Sequence, residues 1–192
     1  MKQDLAQLTS ALKSVPTHPV KATLGRMVPF QNLVKYNPPN WLFTTGKANR
    51  YNPSGVNCVY FSETEVVAKY EYDDYWKNTP AANQPVVTYY AEIELRRVID
   101  LENPAVLKAL KLDPADLFEP WRMAATPIST QFLGQAVNNY LRISAIRYPS
   151  KAAADQGHTG YNMVIFQNNV LFSPDYVRIL GPDKGNPLQS WP

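Results

Sequence analysis

Apolar positions recur along this chain in two periods, and the two periods divide it into helices and strands. Leu5, Leu8 and Leu12 stand at helical spacing with polar residues between them, which predicts a short amphipathic helix within residues 2–14, ended by Pro16 and Pro19. A short apolar run containing Gly25, Arg26, Met27 and Val28 predicts a first strand within residues 21–30, stopping at Pro29. Residues 31–57 carry Pro38, Pro39, Gly46, Pro53, Ser54 and Gly55 and read as a long irregular loop. Trp41, Phe43 and Tyr51 give that loop apolar anchors, so it is expected to be ordered, and ordered loops of this length usually serve function.

Val56 to Phe61 is a short apolar run and predicts a buried strand. Ser62-Glu63-Thr64-Glu65 has the capping-box spelling, in which a hydroxyl and a carboxylate three residues later satisfy free backbone donors. A helix is expected from there to about Trp76, with Val66, Val67 and Tyr70 turned inward and Glu71 in its middle. Residues 85–99 alternate cleanly: Val87, Tyr89, Ala91, Ile93 and Leu95 on one face, Thr88, Tyr90, Glu92 and Glu94 on the other, as in a half-buried strand. Asn103-Pro104 and Asp113-Pro114 each place a capping residue before a proline suited to the first helical position, so two short helices follow. Phe132, Leu133, Ala136, Val137 and Tyr140 predict a helix within residues 130–141. Apolar runs at 143–148, 163–166, 170–172 and 176–180 come next, then a Gly/Pro-rich tail expected to fray.

Helices and strands mix without regular βαβ alternation, so the expected class is α+β: one domain of mixed or antiparallel twisted sheets with flanking helices. Residues 1–20 are expected to form an N-terminal helix and linker, 21–181 the main domain, and 182–192 a flexible tail.

A length of 192 residues suits one domain with a substantial core. With 45% hydrophobic and 18% charged residues, the composition excludes a disordered chain. Net charge is +3 and the basic residues are scattered singly, which argues against nucleic acid as a direct partner and suits a small anionic ligand. The one cysteine, Cys58, sits in an apolar run and cannot form an internal disulfide, which fits a reducing compartment. The N-terminus lacks an apolar signal core and no stretch reaches membrane-spanning length, so a cytoplasmic protein without membrane contact is expected.

The sequence has no Gly-rich phosphate loop of common spacing and no Cys/His set with metal-ligand spacing. Two histidines, His18 and His158, without a Gly-x-Ser-x-Gly elbow, leave no basis for a serine triad. What remains is arginine, carboxylate, hydroxyl and aromatic chemistry. Arg50 follows a loop and precedes a turn, where a planar five-donor guanidinium suits a phosphate or carboxylate; a structural ion pair is the commoner fate. Glu71 is mid-helix, where most glutamates are solvated, and Ser150 follows Tyr148-Pro149, a pairing that often marks only a turn.

Taken together, Arg50-Tyr51-Asn52-Pro53-Ser54-Gly55, Val59-Tyr60-Phe61-Ser62 with Ala68-Lys69-Tyr70-Glu71, Leu133-Gly134, Tyr148-Pro149-Ser150 and Asn162-Met163-Val164-Ile165-Phe166 resemble the RES-domain family, named for its Arg, Glu and Ser. Arg26 looks like a second arginine that the family often has near its start, and the resemblance spans residues 24–172. Departures are Tyr51 where Trp or Phe is common, and Lys69-Tyr70 where small or aliphatic residues are common.

The resemblance implies a fold similar to ADP-ribosyltransferase toxins and a place among toxins of bacterial toxin–antitoxin pairs that destroy NAD+ by glycohydrolysis or phosphorolysis. It implies NAD+ as substrate rather than cofactor, no metal, and a cognate antitoxin or immunity protein as partner; it leaves a homo-oligomer open, and equally an effector acting in the cytoplasm of a target cell. Arg50 with Arg26 would grip the pyrophosphate, Tyr60 would orient the nicotinamide end, Glu71 would act at the nicotinamide ribose, and Ser150 would position that ribose or its nucleophile. Tyr51, Asn52, Ser62 and Asn162 complete the expected NAD-binding set. Two rival readings stand beside it. One is ADP-ribosyl transfer to a macromolecule through Glu92-Ile93-Glu94, although strand alternation already explains both glutamates as solvated. The other is a non-enzymatic binding module built on the aromatic-rich loop at 36–60.

Overall fold

Two long strands, β1 (His18–Pro29) and β3 (Val86–Asp100), pair antiparallel from His18↔Val98 to Pro29↔Val86 and form a ribbon to which the rest of the sheet is joined. The computed structural model describes residues 4–171, 173–181 and 186–192. The remaining strands are β2 (Cys58–Ser62), β4 (Ala145–Pro149), β5 (Tyr161–Phe166), β6 (Tyr176–Ile179) and β7 (Gln189–Trp191). The order is β1-β2-β5-β4-β3-β6-β7, and β1 also pairs with β3, so the first five strands close on themselves. The β3–β4 pair is parallel and the others are antiparallel. The expected α+β architecture is therefore found.

Period-two alternation splits the core in two. On β2, β4 and β5, Cys58, Ile146, Tyr148, Val164 and Phe166 face a helical layer, while Val59, Phe61, Ala145, Met163 and Ile165 face the β1–β3 ribbon. Burial on both faces is why residues 163–166 of β5 read as an unbroken apolar run. The helical layer comprises α1 (Leu5–Ala11), α4 (Pro104–Leu110) and α5 (Ser129–Tyr140), with Leu8, Leu12, Leu110, Leu133 and Val137 fully buried. Each such leucine contributes about 2 kcal/mol of apolar burial, so the apolar face of α1 is committed to the core. The predicted caps hold: Asn103 accepts from Ala105 N, and Asp113 caps the 3-10 turn Pro114–Phe118.

Several local expectations are corrected. The first strand starts at His18, ahead of residue 21, because β3 is long enough to pair with it there. The loop at 31–57 opens with a short helix, α2 (Phe30–Val34). Ser62 is not the cap of the next helix. It ends β2, and Thr64 caps α3 (Glu65–Trp76) by accepting from Val67 N at 3.3 Å. Shifting the start turns Val66 out to solvent and buries Val67, Ala68 and Tyr72. The apolar run at 170–172 falls at the end of a helix, α7 (Gln167–Leu171), with Phe172 outside the described residues. The end of the tail does not fray: β7 pairs with β6 and Trp191 packs into the core, while residues 182–185 lie outside the described residues. Among the described residues, no helix is long and apolar enough to cross a membrane.

Candidate functional site

The turn at Asn49–Asn52 is held from three directions, two of them by groups far away in sequence. From α5, Thr130 Oγ1 donates to Arg50 O at 2.7 Å and Gln131 Nε2 donates to Asn49 O at 2.8 Å. One turn further along α5, Gly134 lies so close that a Cβ there would sit 1.6 Å from Tyr51 O. From β2, the Tyr60 hydroxyl accepts from Tyr51 N at 3.1 Å and donates to Asn52 Oδ1 at 2.8 Å. From the 3-10 segment, Leu117 O and Glu119 O accept from Arg50 Nη1 at 2.9 and 3.0 Å. These two carbonyls aim the guanidinium but neutralise none of its charge.

Two expected ligand contacts are corrected by this arrangement. Tyr51 is fully buried with its ring 4.3 Å from that of Tyr148, and it does not line the cavity, because α5 presses the turn inward at Gly134. Asn52 borders the cavity, yet its Nδ2 is engaged by Lys47 O and Val56 O and its Oδ1 by Tyr60, so its side chain organises the loop.

The turn forms one wall of a cavity of about 770 Å³. Arg26 of β1, Tyr60 and Ser62 of β2, Glu71 and Tyr75 of α3, Tyr148 at the end of β4 and Asn162 of β5 also line it. Arg26, Lys35, Lys47 and Arg50 line the cavity without any ion pair among the described residues. The Nη1 atom of Arg26 is shut off from solvent with no hydrogen-bond partner among the described residues, which is costly unless an anion completes it. The guanidinium nonetheless lies near enough to Tyr89 to oppose the upward push of burial on its hydroxyl. The ion-pair fate allowed for Arg50 is therefore not what the structure shows.

Opposite stands Glu71. It lies one turn beyond Val67 on the same face of α3, turned to the cavity rather than to solvent. Its Oε1 accepts from Ser150 Oγ at 2.6 Å and from Asn162 Nδ2 at 2.7 Å. Ser150 is buried and caps α6 (Lys151–Ala154), its Oγ accepting from Ala153 N at 3.1 Å. Asn162 Oδ1 accepts from Ser62 Oγ at 2.7 Å. Oε2 has no partner among the described residues and is not sealed from the cavity.

Burial pushes the hydroxyls of Tyr60 and Tyr148 well up, with the Glu71 carboxylate adding to the effect on Tyr148, so both rings stay neutral. Burial likewise pushes the Cys58 thiol up to about 12, which leaves it inert. At the mouth, Arg122 lies between the rings of Tyr75 and Trp121, 4.9 and 5.0 Å from their centroids, and contacts Asp74 at 3.5 Å. Burial works against the Asp74 charge, yet Lys77 and Arg122 hold its carboxyl below the usual range.

The structure thus brings Arg26, Arg50, Tyr60, Ser62, Glu71 and Asn162 together around one cavity, with Ser150 bonded to Glu71 but not itself lining it. Glu92 and Glu94 do not line it. Glu94 pairs with Lys21 at 3.1 Å, and both glutamates approach Tyr176, so the Glu-x-Glu spelling is strand decoration. Thr130 and Gln131, which hold the Arg50 turn, were not marked by any motif. Their only signal was a polar pair at the start of a helical window, and no local pattern names a partner 80 residues away.

No curated protein sequence matches the chain. Among solved structures, the M. tuberculosis MbcT–MbcA toxin–antitoxin complex contains a similar fold. It matches at a TM-score of 0.65 and 16% identity, covering 96% of this chain and 90% of that one. The RES domain family matches residues 32–187, which take in Arg50, Glu71, Ser150 and Asn162. With that match running over most of its length, the chain belongs to the RES domain family.

Proposed function

We propose that the chain is an NAD+-degrading toxin that cleaves the nicotinamide–ribose bond and is neutralised by a cognate antitoxin or immunity protein. One observation carries the reading: a single carboxylate, Glu71, is tethered through one oxygen by Ser150 and Asn162, facing a cavity that also holds Arg26 and Arg50 without acidic partners. The pyrophosphate of NAD+ would take charge-assisted bonds from the two arginines. Glu71 Oε2 would meet the nicotinamide ribose and stabilise the oxocarbenium-like state as the C–N bond breaks. The bonding electron pair leaves with the pyridinium nitrogen, giving neutral nicotinamide, so no general acid is required. Water captures the ribose carbon to give ADP-ribose and a proton, or inorganic phosphate captures it to give the phosphorylated sugar.

Tyr60 would contribute only its ring, since its hydroxyl is committed to the Arg50 turn. The antitoxin partner is supported by family membership and by the similar fold found in a toxin–antitoxin complex. NAD+ incubated with the purified chain, with and without phosphate, should release nicotinamide, and Glu71→Ala should lower the rate by about 100-fold or more. Wild type and Glu71→Ala equally inert at high enzyme concentration would refute the reading.

A further inference from the structure

Glu71 takes both of its hydrogen bonds on Oε1, and the two donors differ in kind. Ser150 supplies a hydroxyl, which rotates to suit its acceptor. Asn162 supplies an amide, which helps only if the NH2 end faces the carboxylate; the reverse orientation sets two oxygens against each other. The carboxylate, which only accepts, draws the NH2 end toward itself, and a donor must then hold the oxygen end behind it.

Ser62 is placed to do so. It stands directly opposite Asn162 in the β2–β5 ladder, and its Oγ lies 2.7 Å from Asn162 Oδ1. Both side chains are buried, at 6% and 3% exposure, so water does not compete for either end. Ser62 gives its proton to Oδ1, so the amide is held at both ends, Nδ2 by the Glu71 carboxylate and Oδ1 by the hydroxyl.

We infer that Ser62 is a positioning residue which acts through Asn162 to hold Glu71 by Oε1 and present Oε2 to the cavity, without touching the substrate itself. The inference rests on the proposed cleavage of NAD+ at Glu71. Without the Ser62 hydroxyl, the Asn162 oxygen is left buried without its donor, the amide is held at one end only, and its tether on the carboxylate loosens. Substrate would still bind through the arginines, so the loss should fall on the chemical step.

The test is a steady-state comparison of Ser62→Ala and Ser62→Thr by nicotinamide release over a range of NAD+ concentrations, with thermal melts of each. Ser62→Ala should lower kcat about tenfold with KM changed less than about twofold, and Ser62→Thr, which keeps the hydroxyl, should recover most of the loss. A raised KM at unchanged kcat would show direct substrate contact and overturn the inference, as would an unchanged kcat in Ser62→Ala. A readout independent of activity is the Asn162 side-chain amide pair in 15N–1H spectra, identified by its absence in Asn162→Asp. It should shift in both Ser62→Ala and Glu71→Gln. If wild type releases no nicotinamide, the functional proposal fails on its own, whereas an amide pair unmoved by Ser62→Ala sinks the positioning role whatever the activity.

Discussion

Gly134→Ala should dislodge the Arg50 turn without touching any residue of the cavity. The added Cβ would lie 1.6 Å from Tyr51 O and 2.7 Å from Tyr51 C, both backbone atoms that cannot swing aside. An ordinary C···O contact is about 3.3 Å, so α5 and the turn must part by about 1.7 Å. That movement breaks the bonds from Thr130 to Arg50 O and from Gln131 to Asn49 O, which are 2.7 and 2.8 Å long. Each is worth about 1 kcal/mol, and overpacking costs about 2 kcal/mol more. Alanine's better helix propensity returns about 1 kcal/mol, leaving a net loss of about 3 kcal/mol. For a domain of this size the melting temperature should fall by about 6–12 °C. Calorimetric melts and urea titrations measure it, and nicotinamide release should fall with the displaced guanidinium. Gly25→Ala is the control, because its Cβ would meet nothing closer than 3.6 Å. A Gly134→Ala protein melting within about 2 °C of wild type would refute the argument that this glycine seats the turn.

Arg26→Ala should raise KM for NAD+ about tenfold while leaving the melting temperature nearly level, because the buried Nη1 it removes has no hydrogen-bond partner among the described residues. A lowered melting temperature would mean that the guanidinium is structural. Asp74→Asn probes the cluster at the mouth. Its folded carboxyl is held below the ordinary value of 3.8, so its stabilising contribution is present above that pH and is lost as pH falls through the lower, folded value. The stability difference between wild type and Asp74→Asn should be under about 1 kcal/mol at pH 7, given the exposure of the pair, and should shrink as pH falls below 3.8 and vanish below the lowered folded value. A difference that persists there would rule out the Lys77 and Arg122 pairing as its source.

The elements legible in the sequence were those whose own periodicity decides them. Alternation from Val87 to Leu95 marked β3, and the spacing of Leu5, Leu8 and Leu12 marked α1, because burial of one face is written locally. Boundaries that depend on a partner were not legible. Ser62 and Thr64 are both good caps by composition, and what decides between them is the ladder to Asn162, which keeps Ser62 in β2. The short β7 at 189–191 is a strand only because β6 offers an edge to pair with. At the site, residue types pointed to the cavity, but the division of labour did not follow from type. Tyr51 and Tyr60 are both tyrosines of one loop–strand unit, yet one is sealed against α5 and the other spends its hydroxyl on the turn.

The cavity has a polarity that bears on how a dinucleotide would lie in it. Lys77 and Arg122 pair with Asp74 and Lys151 with Asp155, so the lining cations without an ion pair among the described residues are Arg26, Lys35, Lys47 and Arg50, from β1, the stretch just after α2 and the long loop, and Glu71 reaches in from α3. NAD+ carries its negative charge at the pyrophosphate and a positive charge at the nicotinamide ring, so on the proposed reading one orientation is favoured at both ends. The same polarity explains why the carboxylate needs a tether. An untethered glutamate beside two unpaired arginines would swing to them and form ion pairs, which would remove the acceptor from the ribose and the donors from the pyrophosphate. Ser150 and Asn162 hold Oε1 against that pull, and the site stays open because its charges are kept apart.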